Sequence, residues 1–538
     1  MKSNTFSPSM QSIGECLHNQ ALKSPDFVAM TDSDTKYTWS ELDRITDLCA
    51  AWLLSVNIGS GTHVGIWAKN TSSYVVLYLA LQKIGAIAVL INAAWEEQEL
   101  ISVMKRTDVK YLFYSRTYKG SSNESIAQNI SDTNVPGFIK AYPLPDVPFS
   151  PEHFPKADVS VLKDINPDVT APSSILFTSG TTGEAKGVIL SQYNILNNGR
   201  CLADSNEWTE NDRLCLCVPL FHCFGITAGI IAAITKGTSV HIVKRFGTKA
   251  VLECIEKWKC TLFSGVPTMF LALMNSKNLS EYDVSSLDGG LIAGSMISPI
   301  DFERIVSCFK MTRLHIAYGQ TESSPAITTT TGTDSLIRRS TTQGKPLPGV
   351  SLRISSESDG AVSSFLNAAG SNGRVIHYEL GEIQVKGYLL MQGYYGKPEE
   401  TENAFTEDGY LKTGDQGYID EDGYLHITGR IKDIIIRGGE NISPGEIENL
   451  ISEFDGVIST KVVGIPAPII QEEVAACIIW KEGKEKSADE VREYLTKHLA
   501  DYKVPKYVFN MTEFPLNESG KILSARLTEI CIKQLKQS

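Results

Sequence analysis

Twelve residues in the first half of the chain have a composition suited to binding an anion. Residues 177–188 read FTSGTTGEAKGV and contain four Ser or Thr hydroxyls, three glycines and one lysine. Glycines let backbone N–H groups approach an oxyanion, hydroxyls donate further hydrogen bonds, and a lysine supplies positive charge. The stretch follows apolar residues 174–177, which are typical of the end of a buried strand. It is either a phosphate-binding loop or a simple Gly/Thr-rich turn.

The order of residues in this stretch excludes a Walker A loop. That motif requires the pattern G-x-x-x-x-G-K-[ST], in which the lysine directly follows a glycine. Here Lys186 comes before Gly187 rather than after it, and the next residue is Val188 rather than Ser or Thr. The chain is therefore not predicted to be a P-loop NTPase.

The elements that must position this loop are predicted from an alternation of apolar runs and helix-length segments. A helix is expected at 96–108, and strands are expected at 62–68, 86–91, 109–115, 213–218, 239–244 and 313–319. Such a series predicts βαβ crossovers, with mostly parallel sheets covered by helices. Ligands of these sheets bind beyond the C-terminal ends of the strands. The loops in that position are 177–188, 218–225 and 317–323.

The pattern changes beyond about residue 345. Short strands separated by Gly, Asp and Asn turns predict a β-rich subdomain at about 345–430, in which the polar stretch 355–373 is expected to be an exposed, loop-like insertion. A compact pattern then resumes, with strands expected at 459–465 and 473–480 and a helix at 488–499. The predicted fold is α/β. A large N-terminal domain (1–430), with two βαβ-type sheets and the β-rich subdomain, precedes a small α+β C-terminal domain (431–538).

Length and composition indicate a globular protein of more than one domain. The chain has 538 residues, of which 42% are hydrophobic and 21% charged. A net charge of −12 argues against general affinity for nucleic acid, whereas a local site can still bind an anion. No secretory signal is visible, and the most apolar stretch, 74–91, reads as a buried helix and strand rather than a transmembrane segment. A cytoplasmic location is expected.

The cysteine pattern points to packing rather than to chemistry. The eleven cysteines are scattered and include no C-x-x-C pair. Cys215 and Cys217 would share one face of a strand, but no neighbouring residue completes a metal site. Cys223 has no apparent acid–base partner that would make it a nucleophile. Reduced, packed thiols are the interpretation.

Six motifs in sequence order resemble those of the adenylate-forming superfamily, which includes acyl-CoA synthetases, luciferases and peptide-synthetase adenylation domains. They cover nearly the whole chain: 177–188, PLFHCFG (219–225), AYGQTESSP (317–325), GYLKTGD (409–415), GRIKDIIIRGGENISPGEIE (429–448) and PLNESGKIL (515–523). The acyl-CoA synthetase or fatty acid–CoA ligase branch is the most similar, in its group acting on short- to medium-chain fatty acids. This resemblance implies that a carboxylic acid attacks the α-phosphate of ATP, and that CoA then takes the acyl group. The implied cofactors are ATP, Mg²⁺ and CoA.

The resemblance also implies which residues hold ATP. Because acid and ATP are both anions, positive charge and oriented donors must offset their repulsion. The β- and γ-phosphates are assigned to Thr178, Ser179, Gly180, Thr181, Thr182, Gly183 and Lys186. The adenine pocket is assigned to Gly294, Ser295, Ala317, Tyr318, Gly319, Gln320 and Thr321, with the Tyr318 ring stacked on the base. Asp415 and Arg430 match a pair that binds the ribose hydroxyls and the neighbouring phosphate.

The implied catalytic residues are Lys521, Glu322, His222 and Thr178. Lys521 matches the lysine that bridges the substrate carboxylate and the α-phosphate. Glu322 matches the residue that holds Mg²⁺, a hard cation that prefers carboxylate oxygen. His222 matches a position beside the acyl pocket and the thiol tunnel. Taken singly, these residues are also compatible with a surface lysine, a solvated acid and a buried structural histidine.

The second step of the implied reaction involves the C-terminal part of the chain. Lys432 matches the hinge about which a mobile C-terminal domain rotates between the two steps. Gly438, Gly439 and Glu440 resemble a segment that lines the pantetheine channel, and glycines suit a narrow passage. Departures from the family pattern, such as Tyr410 in place of a commoner Trp, remove no catalytic group.

Three alternatives remain at this level. An acyl-AMP ligase could load a separate carrier protein, a luciferase-like oxygenase could share the motifs, and a non-catalytic homologue could bind nucleotide alone. A non-catalytic homologue would be expected to have other residues at Lys521, Glu322 or within 178–183. All of these motif residues are present. The expected partners are a small carboxylic acid and CoA or a carrier protein, without nucleic acid. Chain length of the acid, pathway and oligomeric state are left open.

Overall fold

The computed structural model describes residues 6–33, 35–132, 135–145, 147–178, 185–356, 364–369 and 375–537. Within these ranges the chain forms two large sheets, two smaller ones and a two-stranded hairpin. The two large sheets are mostly parallel and the two smaller ones mostly antiparallel. This arrangement agrees with the predicted α/β class.

The larger sheet has nine strands, and six neighbouring strands in its centre are parallel. Across the sheet the strand order is Lys345–Pro346, Ala326–Thr329, Arg313–Gly319, Gly289–Ile292, Leu262–Ser264, Arg213–Leu216, Ser239–Ile242, Val28–Asp32 and Thr35–Thr38. The strands predicted at 213–218, 239–244 and 313–319 are confirmed. Their C-terminal ends lead into loops 218–225 and 317–323.

The second sheet has seven strands in the order Gly393–Tyr394, Lys186–Ser191, Pro172–Thr178, Ile87–Ile91, His63–Trp67, Tyr111–Ser115 and Lys140–Leu144. The predicted strands at 62–68, 86–91 and 109–115 lie in it. Pro172–Thr178 and Lys186–Ser191 pair antiparallel, with Lys186 opposite Thr178. The strand before the Gly/Thr-rich stretch is buried, as expected. The stretch therefore spans the end of a hairpin in this sheet.

Helices cover the sheets and one lies inside the core. The helices are Ile13–Lys23, Trp39–Ser55, Ser72–Lys83, Glu97–Arg106, Glu124–Asp132, Gln192–Ser205, Cys223–Gly225, Ala232–Lys236, Thr248–Trp258, Pro267–Met274, Pro299–Phe309, Leu336–Thr341, Pro398–Ala404, Pro444–Ser452, Ala488–Thr496 and Ser524–Gln537, with a π-helical segment at Ile226–Ile231. Residues 72–82 are buried all round the helix, because that helix is apolar on every face. The stretch 74–91 is thus a buried helix and strand, as predicted. Among the described helices, none has the length and apolar character that a bilayer span requires.

The β-rich subdomain forms a five-stranded antiparallel sheet. Its strands are Ser351–Ser355, Val375–Lys386, Leu411–Ile419 and Leu425–Arg430, with Ser364–Ala369 paired to Val375–Lys386. The expectation that 355–373 is loop-like was wrong for residues 364–369. Because backbone groups make the pairing, a short segment within a polar stretch can join a sheet when a long partner strand has an open edge. Residues 357–363 and 370–374 lie outside the described ranges.

The C-terminal residues form a separate five-stranded sheet. Its strands are Glu440–Ile442, Ile435–Arg437, Gln471–Trp480 and Val457–Ala467, with Tyr507–Met511 parallel to Gln471–Trp480. Its buried side chains form two apolar clusters, distinct from the large core. This separation supports the boundary predicted at 430/431, which stays a prediction.

Candidate active site

A cleft of about 1050 Å³ lies between the strand ends of the large sheets and a loop near the C-terminus. Most of the described residues that the sequence assigns to a site line it. They are Thr178, Lys186, His222, Gly294, Ala317, Tyr318, Gly319, Gln320, Thr321, Glu322, Arg430, Lys432 and Lys521. Residues as far apart in the sequence as Thr178 and Lys521 thus meet in one cavity, which is wide enough for a nucleotide and an acyl group.

Some of the predicted residues lie elsewhere. Ser179, Gly180, Thr181, Thr182 and Gly183 lie outside the described residues, so their role stays a prediction. Ser295 follows Gly294 but does not line the cleft. Gly438, Gly439 and Glu440 lie at an exposed turn between strands Ile435–Arg437 and Glu440–Ile442, away from the cleft. Their assignment to a CoA channel also stays a prediction.

One wall of the cleft is held by a bridge through Asp415. The Tyr318 hydroxyl donates a 2.8 Å hydrogen bond to one carboxylate oxygen of Asp415, and Nε of Arg430 lies 3.0 Å from the other. Burial and the neighbouring Asp415 carboxylate raise the pKa of Tyr318 well above its usual value, so its hydroxyl remains a donor. The predicted adenine and ribose residues are therefore one connected unit, with Asp415 just behind the lining.

The predicted metal ligand, Glu322, also lines the cleft. Glu322 lies in the short 3₁₀ turn Thr321–Ser323, which follows strand Arg313–Gly319. The hydroxyl of Tyr394 donates to Glu322 Oε1 at 2.9 Å. Burial raises the pKa of Glu322, and the tyrosine hydroxyl, Arg430 and Lys186 partly oppose that shift. The carboxylate is thus held in a fixed place by an aromatic hydroxyl.

Lys186 extends from the second sheet toward the same region. Its ammonium lies 2.6 Å from Glu400 Oε2 and 4.8 Å from the centre of the Tyr394 ring. The ion pair with Lys186 lowers the pKa of Glu400. A cation over an aromatic face is stabilised by the ring quadrupole. Tyr394 therefore touches both the predicted phosphate-binding lysine and the predicted metal ligand.

Lys521 reaches the cleft from a tight loop near the C-terminus. Leu516 and Ile522 pair across this loop, and Asn517 Oδ1 accepts hydrogen bonds from the backbone N–H groups of Ser519 and Lys521. Burial and, second to it, the positive charge of Arg430 lower the pKa of Lys521 to about 8. The Asn517 side chain satisfies backbone donors of the same loop and closes the loop on itself. A short closed loop of this kind fixes the direction of Lys521.

His222 and an apolar surface form the far end of the cleft. Burial, followed by the charge of Lys521, lowers the pKa of His222 to about 4, so the imidazole is neutral near pH 7. The apolar lining beside it comprises Leu202, Val218, Phe221, Phe224, Ala228 and Leu291. Ala228 belongs to the π-helical segment Ile226–Ile231, a local irregularity that is frequent at functional sites. This end of the cleft suits an apolar acyl chain.

Glycine is required where backbones approach closely at the cleft. A Cβ on Gly319 would lie 1.9 Å from the Pro325 carbonyl oxygen. Gly294 has a φ of +88°, a left-handed conformation that other residues rarely adopt. The close backbone approach at Gly319 and the left-handed conformation at Gly294 explain why glycines occur at the strand ends that form the predicted adenine pocket.

Several residues of the site were not found from the sequence. Tyr394 and Glu400 contact Glu322 and Lys186, and Lys412, Thr413 and Glu382 line the same cleft. Tyr394 arrives there because Gly393–Tyr394 adds an edge strand beside Lys186–Ser191. The only sequence signal was an aromatic pair within GYYG (393–396), which does not indicate which strand it joins.

The described part of the cleft offers Mg²⁺ a carboxylate rather than a cage of protein ligands. Within the described ranges no three His, Cys, Asp or Glu residues are placed to hold a metal ion. Mg²⁺ commonly binds one or two carboxylates, substrate phosphates and water, without a full protein cage. The Glu322 carboxylate, held by Tyr394 in a cleft with several cations, fits that manner of binding.

The cysteines agree with the predicted packing role. All eleven are free, and nine of them are buried. Cys223 lies beside the Thr321 hydroxyl, at 3.7 Å, and burial raises its thiol pKa to about 12. A thiol held in its protonated form is a poor nucleophile.

Two protein-family models match the chain. The model described as AMP-binding enzyme matches residues 17–395. The model described as AMP-binding enzyme C-terminal domain matches residues 446–521. The first range contains most of the residues that line the cleft, and the second ends at Lys521, whereas Arg430 and Lys432 lie between the two ranges.

Curated relatives match over almost the whole chain. YngI of Bacillus subtilis (strain 168), whose name describes an acyl-CoA synthetase, is 35% identical over 550 residues, with 98% of each chain covered. The human medium-chain acyl-CoA ligase ACSF2, mitochondrial, is 32% identical over 551 residues, covering 96% of this chain and 87% of that protein.

Solved structures share the fold. ATP-bound MatB from Rhodopseudomonas palustris has a TM-score of 0.83 and 26% identity, with 97% of this chain and 99% of MatB covered. The anthranilate CoA ligase AuaEII in complex with anthranoyl-AMP has a TM-score of 0.85 over 98% and 99% of the two chains. At 21% identity the second comparison concerns the fold alone. The predicted combination of a large N-terminal part and a smaller C-terminal part is confirmed.

Proposed function

The chain belongs to the AMP-binding enzyme family, and from that premise we propose that it is an ATP-dependent acid–CoA ligase. The acid is activated as an acyl-adenylate with release of pyrophosphate, and CoA then receives the acyl group with release of AMP. The similarity to medium-chain acyl-CoA ligases supports a fatty acid of short to medium length as the substrate.

The observation that carries this proposal is the meeting of cations, one oriented carboxylate and an apolar surface in a single cleft. Lys186, Arg430 and Lys521 line it together with Glu322, while Leu202, Phe224 and Ala228 line its apolar end. A polyphosphate and a fatty acid need these two environments side by side. Such a mixture of surfaces suits the joining of an anion to an apolar acid.

The described side chains divide the work of the first step. Lys521 lies where its ammonium can offset the charge that develops between the carboxylate and the α-phosphate. Arg430 and Asp415 hold the ribose side, with Tyr318 fixed against Asp415. Thr178 and Lys186, opposite each other at the hairpin end, hold the outgoing phosphates.

Two further groups complete the proposal. Glu322, oriented by Tyr394, would hold Mg²⁺, which neutralises phosphate charge when bound. The neutral imidazole of His222 lies between the apolar surface and the cations, where it can orient the acid without repelling Lys521. Gly438, Gly439 and Glu440 are proposed to face CoA after rotation about Lys432.

Mass spectrometry of the purified protein with ATP, Mg²⁺ and a panel of carboxylic acids tests this function. Each acid is incubated with and without CoA, beside a Lys521→Ala variant. The expected result is acyl-CoA and AMP, formed only with CoA and intact Lys521. Acyl-AMP that accumulates equally with and without CoA would instead identify a carrier protein as the acceptor. Absence of acyl-AMP with every acid would refute the ligase.

A further inference from the structure

The loop that carries Lys521 is attached to the N-terminal part of the chain at two points. One is Glu518, whose carboxylate accepts a hydrogen bond from the Tyr118 hydroxyl at 2.7 Å and from the Lys119 ammonium at 2.5 Å. The other is Gly520, whose carbonyl accepts from the Thr268 hydroxyl at 2.7 Å. These contacts join residues about 250 to 400 positions apart in the sequence. They lie on either side of Ser519 and immediately before Lys521.

A short hairpin presents Tyr118 and Lys119 to the loop that carries Lys521. Strands Thr117–Tyr118 and Ser121–Ser122 form an isolated two-stranded sheet. At its turn Lys119 and Gly120 have φ values of +49° and +87°, as in the tight turns that favour two-residue hairpins. This turn presents the Lys119 side chain to Glu518. A second cation, Arg245, also acts on this carboxylate.

The charges at this contact are complementary and half-buried. The Glu518 side chain is 24% exposed and that of Lys119 is 43% exposed. Burial alone would raise the pKa of Glu518, but the hydrogen bonds from Lys119 and Tyr118 outweigh it and lower the pKa. Glu518 is thus ionised and accepts hydrogen bonds from two side chains, Tyr118 and Lys119. An ordinary surface ion pair contributes little, whereas a carboxylate with several donors is held more firmly.

Most backbone hydrogen bonds of residues 515–523 are internal to the loop, as is the Leu516–Ile522 bridge. On the side of the C-terminal sheet, Ile522 packs against an apolar cluster. On the side of the N-terminal part, the loop is held by the contacts at Glu518 and Gly520. A Cβ on Gly520 would lie 3.0 Å from the Val266 side chain, so the loop packs closely against helix Pro267–Met274. Moving the loop by a few ångströms would withdraw Lys521 from the cleft. The contacts at Glu518 and Gly520 oppose that movement.

We propose that Glu518, clamped by Tyr118 and Lys119, is a positioning residue that holds the Lys521 loop in the cleft for the adenylation step. This inference rests on the proposed ligase function, which supplies the reaction. Glu518 acts through Lys521 rather than on the acid. The clamp serves the first step alone, because transfer to CoA does not use the charge of Lys521 in the proposed scheme.

Measuring the two half-reactions separately tests the clamp. Glu518→Gln keeps the shape of the side chain and removes its charge. The expected result is a fall of about tenfold in acid-dependent ATP–pyrophosphate exchange, the size of losing one charge-assisted hydrogen bond. Transfer from preformed acyl-AMP to CoA should stay within about twofold. Equal loss in both half-reactions, or no loss in exchange, would overturn the proposal.

A double-mutant cycle identifies the partner of Glu518. Lys119→Met removes the cation and keeps the length of the side chain. If Lys119 and Glu518 act through one contact, the double variant exchanges pyrophosphate no more slowly than Glu518→Gln alone. If the fold reductions of the two single variants multiply in the double variant, the two residues act independently. That outcome would overturn the clamp.

The matched control is Glu529→Gln. Glu529 pairs with Arg526 at 2.5 Å within the C-terminal helix, and both side chains are more than 60% exposed. Its loss removes a carboxylate–arginine pair from the same part of the chain without touching the loop, so both half-reactions should be unchanged. A fall in exchange equal to that of Glu518→Gln would indicate a general effect of charge and overturn the proposal.

Hydrogen–deuterium exchange gives a readout that does not depend on turnover. In Glu518→Gln, deuterium uptake should rise in residues 515–523 and not in strands Gln471–Trp480 and Val457–Ala467. Unchanged uptake in 515–523 would overturn the clamp even if the wild type is active. Failure of the wild type to form acyl-AMP with any acid would instead refute the proposed function, and the two failures are thereby distinguished.

Discussion

The hydroxyl of Tyr318 donates a 2.8 Å hydrogen bond to Asp415, although the two residues lie 97 positions apart in the sequence. Tyr318 ends a central strand of the nine-stranded sheet, whereas Asp415 lies in a strand of the β-rich subdomain. The bond therefore joins two sheets at the wall of the cleft. Because Asp415 is only 5% exposed, its carboxylate depends on such donors.

Removing that hydroxyl tests the connection. In Tyr318→Phe we expect the free energy of unfolding to fall by about 1–2 kcal/mol and the KM for ATP to rise roughly fivefold, because a buried carboxylate loses a donor. Tyr395→Phe is the matched control, since its hydroxyl donates to Asp108 outside the cleft at 2.7 Å. Chemical denaturation and steady-state kinetics measure the two quantities. Equal effects in both variants would contradict a special role for Tyr318.

Lys521 is expected to act in the transition state more than in binding. In Lys521→Ala, pyrophosphate exchange should fall roughly 10²–10³-fold, as when a main charge-stabilising donor is lost. The Kd for ATP should change by less than about threefold. Lys533→Ala, an exposed lysine of the C-terminal helix, is the control. A large loss of ATP affinity with little loss of rate would reverse the assignment.

The pH dependence of adenylation follows from the pKa of Lys521. Burial and Arg430 lower this pKa to about 8, so the ammonium is charged below pH 8 and neutral above it. We expect kcat/KM for adenylation to fall as the pH rises through about 8, although an ordinary lysine would stay charged to about pH 10. His222, with a pKa of about 4, does not titrate in this range.

A charge-conserving variant is the control for this profile. Lys521→Arg keeps its charge throughout, so its residual activity should not fall between pH 7 and pH 9.5. Bound phosphates favour the charged lysine, so the wild-type kcat profile should fall at a higher pH than kcat/KM does. A wild-type kcat/KM that is flat from pH 7 to pH 9.5 would rule out a lowered pKa in the working enzyme.

Glu322 is expected to set the metal requirement. In Glu322→Gln, the Mg²⁺ concentration for half-maximal pyrophosphate exchange should rise about tenfold, because the anionic oxygen that a hard cation prefers is lost. Glu421→Gln, at an exposed turn of the β-rich subdomain, is the control. An unchanged Mg²⁺ dependence in Glu322→Gln would place the metal elsewhere.

The apolar end of the cleft is expected to limit the length of the acid. Ala228 is 2% exposed and lines that end, so Ala228→Phe adds a ring where an acyl chain would lie. For acids that reach the ring, kcat/KM should fall by at least about tenfold, while shorter acids serve as the internal control. A series of straight-chain acids gives the profile. The same loss for every length would indicate misfolding or a different acyl position.

Several buried parallel strands could be located from the sequence because they are apolar runs with clear ends. Tyr111–Ser115 and Arg313–Gly319 were found in this way. The strand Ser364–Ala369 was not, because it is a short run without polar–apolar alternation inside a polar stretch, and its pairing with Val375–Lys386 makes it a strand. Local sequence does not record such a partner.

The residues around ATP were reached through motif resemblance, and their partners were not. Lys186 and Glu322 lie in recognisable motifs, whereas Tyr394 and Glu400 lie in a stretch whose sequence indicates only a turn and a helix start. Tyr394 contacts both groups because an edge strand places it there. Pairing of this kind depends on the register between strands that are about 200 positions apart in the sequence, so a local pattern does not reveal it.

The fold class, the family and the identity of the charged groups could be inferred from the sequence, because they depend on apolar periodicity and on motifs of neighbouring residues. How those groups are held is seen in the folded chain alone. The bond from Tyr318 to Asp415, the contact of Tyr394 with Glu322 and the clamp on Glu518 each join distant segments. Their distances depend on sheet order and packing, and no local pattern in the chain specifies them.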